Sequence, residues 1–209
     1  MANILTPAIE KYLSKVLPPR DPVLAGMEAY AKKHDVPIIG PECGRLLYLL
    51  TQISGAKRIF EMGSAIGYSA IWFARAAGPG AEIYFTDGDP QNAEMARQNF
   101  KKAGIAEQVH ILTGDAVNLL DTVTGDFDII LIDINKHQYP AALRKSIPRL
   151  KHGGLVITDN VLWSGKVTKP PKDNSTSGVL EFNKMVYSSK ELFPVIVPLR
   201  DGVAVCRKA

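Results

Sequence analysis

The feature that most constrains this 209-residue chain is an alternation that begins at Lys57. Apolar runs at Ile59–Met62, Ile83–Thr86, Val109–Leu112, Phe127–Ile132 and Leu155–Thr158 read as strands. Between them, Tyr68–Ala77, Pro90–Ala103, Ala116–Leu120 and Tyr139–Leu150 read as helices, stopped in three cases by glycines at 78, 104 and 153–154. Pro148 is placed to end the last of these early. Strand–helix alternation with nearly continuous apolar strands is the pattern of a parallel sheet covered on both faces. After Asp159 the pattern changes. Asn160–Ser177 reads as a loop and Val179–Leu192 as a last helix, while Val195–Leu199 and Val203–Arg207 flank Arg200-Asp201-Gly202, an Asp-Gly hairpin signal. The expected fold is therefore α/β, a doubly wound, mostly parallel seven-stranded sheet that ends in an antiparallel pair.

Upstream of the alternation, Pro7–Val16 reads as an amphipathic helix with Ile9, Tyr12, Leu13 and Val16 on one side. Asp21-Pro22 starts a second helix to about His34, and Pro41-Glu42 opens a third that carries Leu46, Leu47, Leu49, Leu50 and Ile53. No linker or repeat divides the chain. Residues 1–209 are expected to form one domain, with 1–40 as a helical extension that serves as lid, dimer contact or acceptor region. The net charge of +4 includes no basic run with interleaved aromatics, so nucleic acid is not an expected partner. No apolar run reaches the roughly 18 residues of a membrane helix. Two cysteines, Cys43 and Cys206, are too few for a disulfide framework and point to a reducing, cytoplasmic setting.

The chemistry concentrates at strand ends. In Arg58–Ser69 a short strand runs into a turn bracketed by Gly63 and Gly67 and then into a helix start, which lets a ligand approach the backbone closely. Glu61, Asp87, Asp133 and Asp159 close four strands, and Asp115 follows a fifth by a short turn. In an open α/β sheet these ends form the ligand-binding rim. Asp115 is equally placed to cap a helix, a role that Glu61 is too far from its helix to fill. Asp87 stands where a nucleotide-binding α/β domain holds ribose hydroxyls, but Ala65 and Tyr68 occupy the glycine positions of a dinucleotide fingerprint. A ribose is therefore expected and a pyrophosphate is not. Asp133, Asp159 and Asn160 supply three hard oxygen donors, a set suited to Mg²⁺ first, with Mn²⁺ or Ca²⁺ as alternatives. A simple turn at Asp159-Asn160 is the other reading.

These residues resemble the class I S-adenosylmethionine-dependent O-methyltransferases of the cation-dependent catechol and caffeoyl-CoA type, in particular small bacterial members. The resemblance runs from about Pro41 to the C-terminus. It is carried by Glu61-Met-Gly-Ser-Ala-Ile-Gly-Tyr-Ser69, Asp87-Gly-Asp-Pro90, Gly114-Asp-Ala116, Asp133-Ile-Asn-Lys136 with Tyr139, Gly153-Gly154, Asp159-Asn-Val-Leu-Trp-Ser-Gly165 and Pro198-Leu-Arg-Asp-Gly202. It implies a Rossmann-like methyltransferase fold, usually as a homodimer, acting on a small phenolic acceptor. Glu61, Gly63 and Ser69 would contact the methionine part of the donor or the back of its pocket, Asp87 the ribose, and Asp115 and Ala116 the adenine. Asp133, Asp159 and Asn160 would hold the metal, with Asp133 also beside the donor. Lys136 would be the base, and Tyr139 and Trp163 candidate substrate walls. Asn135 departs from the pattern, since many members have an acid there. The rival functions are a nicotinamide-dependent oxidoreductase, a methyltransferase acting on protein or RNA, and an inactive binding member of the fold.

Overall fold

The computed structural model describes residues 4–209. Residues 1–3 of the expected N-terminal extension lie outside the described part. Seven strands form one sheet in the order β3-β2-β1-β4-β5-β7-β6. They are β1 (Arg58–Met62), β2 (Glu82–Asp87), β3 (Val109–Thr113), β4 (Phe127–Ile132), β5 (Leu150–Thr158), β6 (Leu192–Val197) and β7 (Val203–Lys208). The first five pair in parallel, and β7 pairs antiparallel with both β5 and β6. The chain order reverses between β1 and β4, which opens a crevice at their carboxyl ends.

Helices cover both faces. They are α1 (Pro7–Val16), α2 (Pro22–His34), α3 (Gly40–Ser54), α4 (Tyr68–Ala77), α5 (Pro90–Ala103), the short α6 (Ala116–Leu119), α7 (Tyr139–Ser146) and α8 (Asn174–Ser188). The pleat of β1 sends Ile59 into the core with α2 to α5, and Phe60 and Met62 into the core with α6 to α8. All three are fully buried. Truncating a buried aromatic such as Phe60 to alanine costs about 3–5 kcal/mol in such a setting. Among the described residues no helix is long and apolar enough to cross a membrane.

Three expected boundaries move, each for a local reason. Helix α7 stops at Ser146, a 3-10 turn carries Pro148, and Leu150 already pairs with Phe127 in β5. The Gly153-Gly154 pair is not a helix stop. It lies inside β5 at a register shift, where a Cβ on Gly154 would come within 2.9 Å of the Lys151 carbonyl oxygen. The last helix starts at Asn174, five residues before the expected Val179, because the Asp173 carboxylate caps it by accepting from Thr176 N at 2.7 Å. Leu192 then opens β6, so the first hairpin strand sits earlier than the expected Val195–Leu199, while the second begins at Val203 as expected. Helix α1 buries none of its residues: Ile9, Tyr12 and Val16 are exposed, and the Ser14 hydroxyl ties it to Glu42 of α3 at 2.7 Å.

Candidate active site

The carboxyl ends of β1 to β5 surround a cavity of about 600 Å³, within the range of small-molecule sites. Gly63, Ser69, Asp87, Asp115, Ala116, Asp133, Lys136, Asp159 and Asn160 all line it, so the sheet brings together nine residues scattered over a hundred positions of sequence. The turn after β1 is close-packed. Gly63 has φ +82°, and a Cβ there would stand 2.2 Å from the Asp133 carbonyl oxygen. Gly67, at φ +85°, faces the Phe100 ring in the same way, 2.5 Å from a Cβ. Between them Ala65 adopts φ +45°, a conformation uncommon for an L-residue, and its N–H donates to Asp87 Oδ2 at 2.9 Å.

Asp87 thus holds the turn as well as facing the cavity. Its Oδ1 accepts from Asp89 N and from the Asn92 carboxamide. Asp115 performs the capping role read for it: Oδ1 caps α6 at Asn118 N, while Oδ2 accepts from Gln138 on the cavity wall. Glu61 lies beneath this surface, fully buried. Ser64 donates to its Oε2 at 3.0 Å, the Ser69 hydroxyl also favours the anion, and Oε1 is buried with no well-formed hydrogen bond among the described residues. Burial pushes its pKa up to about 7. An unsatisfied buried carboxylate oxygen under a cavity is the kind of group a bound cationic or hydroxyl-bearing ligand would satisfy.

At the β4–β5 side, Lys136 Nζ stands 3.1 Å from Asp133 Oδ1 and 3.3 Å from the Ile134 carbonyl oxygen. Asp159 is nearly buried, and both burial and the Asp133 charge raise its pKa. Its Oδ1 accepts from Asn160 N at 2.9 Å. Asn160 itself sits at φ +58°, and the following backbone is pinned to the hairpin tip by Val161 N to Gly202 O and Leu162 N to Asp201 O. The reversed C-terminal pair therefore fixes the direction of this motif. Among the described residues no three His, Cys, Asp or Glu side chains gather as a metal site. A cation here would need the Asn160 carboxamide beside the two carboxylates, an all-oxygen set that suits Mg²⁺ chemistry.

The expected wall residues behave differently. Tyr139 is no substrate wall. It is fully buried, packed edge-on to Phe182, and its hydroxyl donates to the Asp159 carbonyl oxygen at 2.8 Å, so it braces the motif from below. Trp163 flanks Lys136 instead of lining the cavity, with the Lys136 and Lys166 ammonium groups 5.7 and 5.1 Å from its ring centroid. Pro37, Ile38 and Ile39 from the α2–α3 connection, which no motif singled out, also line the cavity, as does Arg200 from the hairpin tip, read in the sequence only as part of a turn and of the family pattern. Beneath the site, Gly178 of α8 lies against the Lys136 backbone, 2.3 Å from its carbonyl oxygen to a would-be Cβ. Read from the sequence, Gly178 stands just ahead of the last helix, so no local pattern points to this contact.

A reversed-ended α/β sheet, a glycine-cleared turn after β1 and acids on the next strand ends are the fold and site expected of the methyl-transferring class of enzyme that the sequence resembles. The chain belongs to the O-methyltransferase family, whose model matches residues 21–209, and is an S-adenosylmethionine-dependent O-methyltransferase. It is 33% identical to a catechol O-methyltransferase of Niastella koreensis over 98% of both chains. It is 30% identical to a caffeoyl-CoA O-methyltransferase of Eucalyptus globulus, over 79% of this chain and 72% of the other. An O-methyltransferase from Streptomyces achromogenes solved in complex with S-adenosylmethionine superposes with a TM-score of 0.89 at 28% identity, covering 97% of this chain and 96% of that one. The oxidoreductase reading falls with this family membership.

Proposed function

We propose that this chain transfers the methyl group of S-adenosylmethionine to a hydroxyl of a small catechol-like or phenylpropanoid acceptor, with the help of a divalent cation. One observation carries the reading: Asp133, Lys136, Asp159 and Asn160 meet at one end of the same cavity that Ser69, Asp87 and Asp115 line. The names of the catechol and caffeoyl-CoA relatives support a phenolic acceptor.

Gly63 and Ser69 would receive the methionine part of the donor above Glu61, Asp87 its ribose hydroxyls, and Asp115 and Ala116 its adenine. Asp133, Asp159 and Asn160 would hold Mg²⁺ or a similar ion, which when bound supplies Lewis acidity toward two adjacent acceptor hydroxyls. Lys136 is the residue assigned to take the proton of the reacting hydroxyl, a role that requires it to enter the step as the neutral amine, with the bound cation in place of its proton as the positive charge beside Asp133. Asp133, 3.1 Å away, would hold the resulting ammonium. The remaining contribution of the protein is alignment of acceptor oxygen with donor methyl, an effect worth up to ~7–11 kcal/mol in favourable systems.

The proposal extends to the whole molecule. Residues 1–209 act as one domain. The extension 1–40 shapes the acceptor side, where Leu5, Leu13 and Ser14 line a second cavity. A homodimer is supported by the uncovered Ile9 and Tyr12 of α1 and Leu49 and Ile53 of α3. Two free, buried cysteines accord with the cytoplasm. The deciding experiment is chelation. With EDTA in excess, transfer to a catechol should stop while calorimetric binding of the donor persists; undiminished turnover would refute the metal role.

A further inference from the structure

Arg200 and Asn160 are the two residues shared by the main cavity and a second cavity of about 430 Å³, which Leu5, just before α1, and Leu13 of α1 also line. An acceptor whose hydroxyls lie at the Asp159-Asn160 end and whose substituent extends toward α1 must pass Arg200. The guanidinium makes one hydrogen bond, Nη1 to the Ile38 carbonyl oxygen at 3.2 Å. It forms no ion pair among the described residues. Most of its five donors are therefore unused. Gly40 leaves room for it, since a Cβ there would come within 2.7 Å of Nη1.

Its backbone has φ +50°, where glycine is at ease and arginine is not. The hairpin tip does not need arginine in order to turn; what arginine adds there is the charged fork. The carboxylates around it are differently placed. Asp201 accepts from Ser164 N and Glu42 from the Ser14 hydroxyl, while Glu10 lines the α1 side of the second cavity. One planar anion can meet the guanidinium in two parallel hydrogen bonds. A polyphosphate tail carries several negative charges, of which the single guanidinium can pair only one, with Asp201 and Glu42 beside it.

We infer that Arg200 is a specificity-determining residue that receives a carboxylate borne by the acceptor, and that the preferred acceptors are small dihydroxyaromatic acids and not nucleotide thioesters. This rests on the methyl-transfer reading above. Initial rates should be measured with catechol, a ring-propionate catechol acid, the matching ethylamine and a dihydroxycinnamoyl-CoA thioester. Parent, R200G and R200K are compared, with the donor Kd measured for each. Glycine suits the left-handed turn, so R200G should fold at least as well as the parent, which a melting curve checks.

In the parent, the acid should have the highest kcat/KM of the four. R200G should lose roughly 10- to 100-fold on the acid and less than about threefold on unsubstituted catechol, the range expected for one charge-assisted bidentate contact, with R200K between. The donor Kd should not move. A parent preference for the amine or the thioester would overturn the inference, as would an equal loss on acid and catechol. A raised donor Kd in R200G would overturn it too, by assigning the guanidinium to the donor's carboxylate. Transfer to none of the four would instead remove the catechol-type acceptor of the proposed function.

Discussion

Gly178 and Lys136 touch through their backbones: the Lys136 carbonyl oxygen lies 2.3 Å from where a Cβ on Gly178 would stand, and the His137 Cα lies at 2.8 Å. Helix α8 therefore serves as the floor on which the Asp133–Lys136 segment rests. In an open helix interior, Gly→Ala stabilises by roughly 0.5–1 kcal/mol. Gly178→Ala should do the reverse, through overpacking of about 1–3 kcal/mol. By displacing Lys136 it should also lower kcat at least tenfold, with donor Kd unchanged. Thermal melts and single-turnover rates check both halves. A more stable and fully active variant would show that α8 does not set the position of Lys136.

Asp87 supports the donor turn and faces the donor site at once. Asp87→Ala removes the acceptor for Ala65 N and for Asn92, so the left-handed Ala65 loses its tether. Donor Kd should rise tenfold or more, which corresponds to about 1.4 kcal/mol. The melting temperature should fall by a few degrees with it. An unchanged Kd by calorimetry would overturn the ribose assignment.

Glu61 gives the apo protein a distinctive pH response. Its pKa is about 7 in the folded chain against an ordinary 4.5, because burial disfavours the anion. The folded state binds the proton more tightly than the unfolded state. Stability from this group is thus fully present below pH 4.5 and is lost as pH rises toward and through 7, by up to ~3 kcal/mol. Glu61→Gln cannot ionise. Its melting temperature relative to the parent should therefore climb between pH 5 and pH 8, while donor affinity falls because the amide has one acceptor oxygen where the carboxylate has two and cannot carry its charge. A flat difference across that range would show that Glu61 does not titrate there.

Asp21 responds in the opposite sense, away from the site. It caps α2 and accepts two hydrogen bonds from Arg75, at 2.5 and 3.1 Å, which hold its carboxyl below the usual range. A depressed acid contributes stability above its unfolded pKa of 3.8 and loses it as pH falls through the lower folded value. The pair is about a third exposed, so the contribution is ~1 kcal/mol or less. Asp21→Asn keeps an N-cap residue and gives up the ion pair. It should melt slightly lower than the parent at pH 7 and indistinguishably at about pH 2.

The fold was legible because each central strand is a short run buried on both faces, a pattern that does not depend on knowing the neighbours. Ile59–Met62 and Phe127–Ile132 read as strands from their residues alone. Boundaries near Pro148 and Asp173 were less so, since a capping carboxylate and a paired Leu150 act through contacts that no local pattern displays. Of the candidate site residues, the strand-end acids were visible as a series. Tyr139 was misread because an aromatic near a motif looks the same whether it faces a ligand or braces one from below.

What the sequence determined by itself is the sheet, the acids at its carboxyl ends and the glycines between strand and helix, because periodicity and backbone permissiveness are local properties. Only the tertiary structure decided that Glu61 is buried under the cavity while Asp87 holds its rim, that Gly178 sits beneath Lys136, and that Arg200 stands between two cavities with no ion pair among the described residues. Those relations join residues dozens to more than a hundred positions apart. They exist only once packing has chosen which surfaces meet.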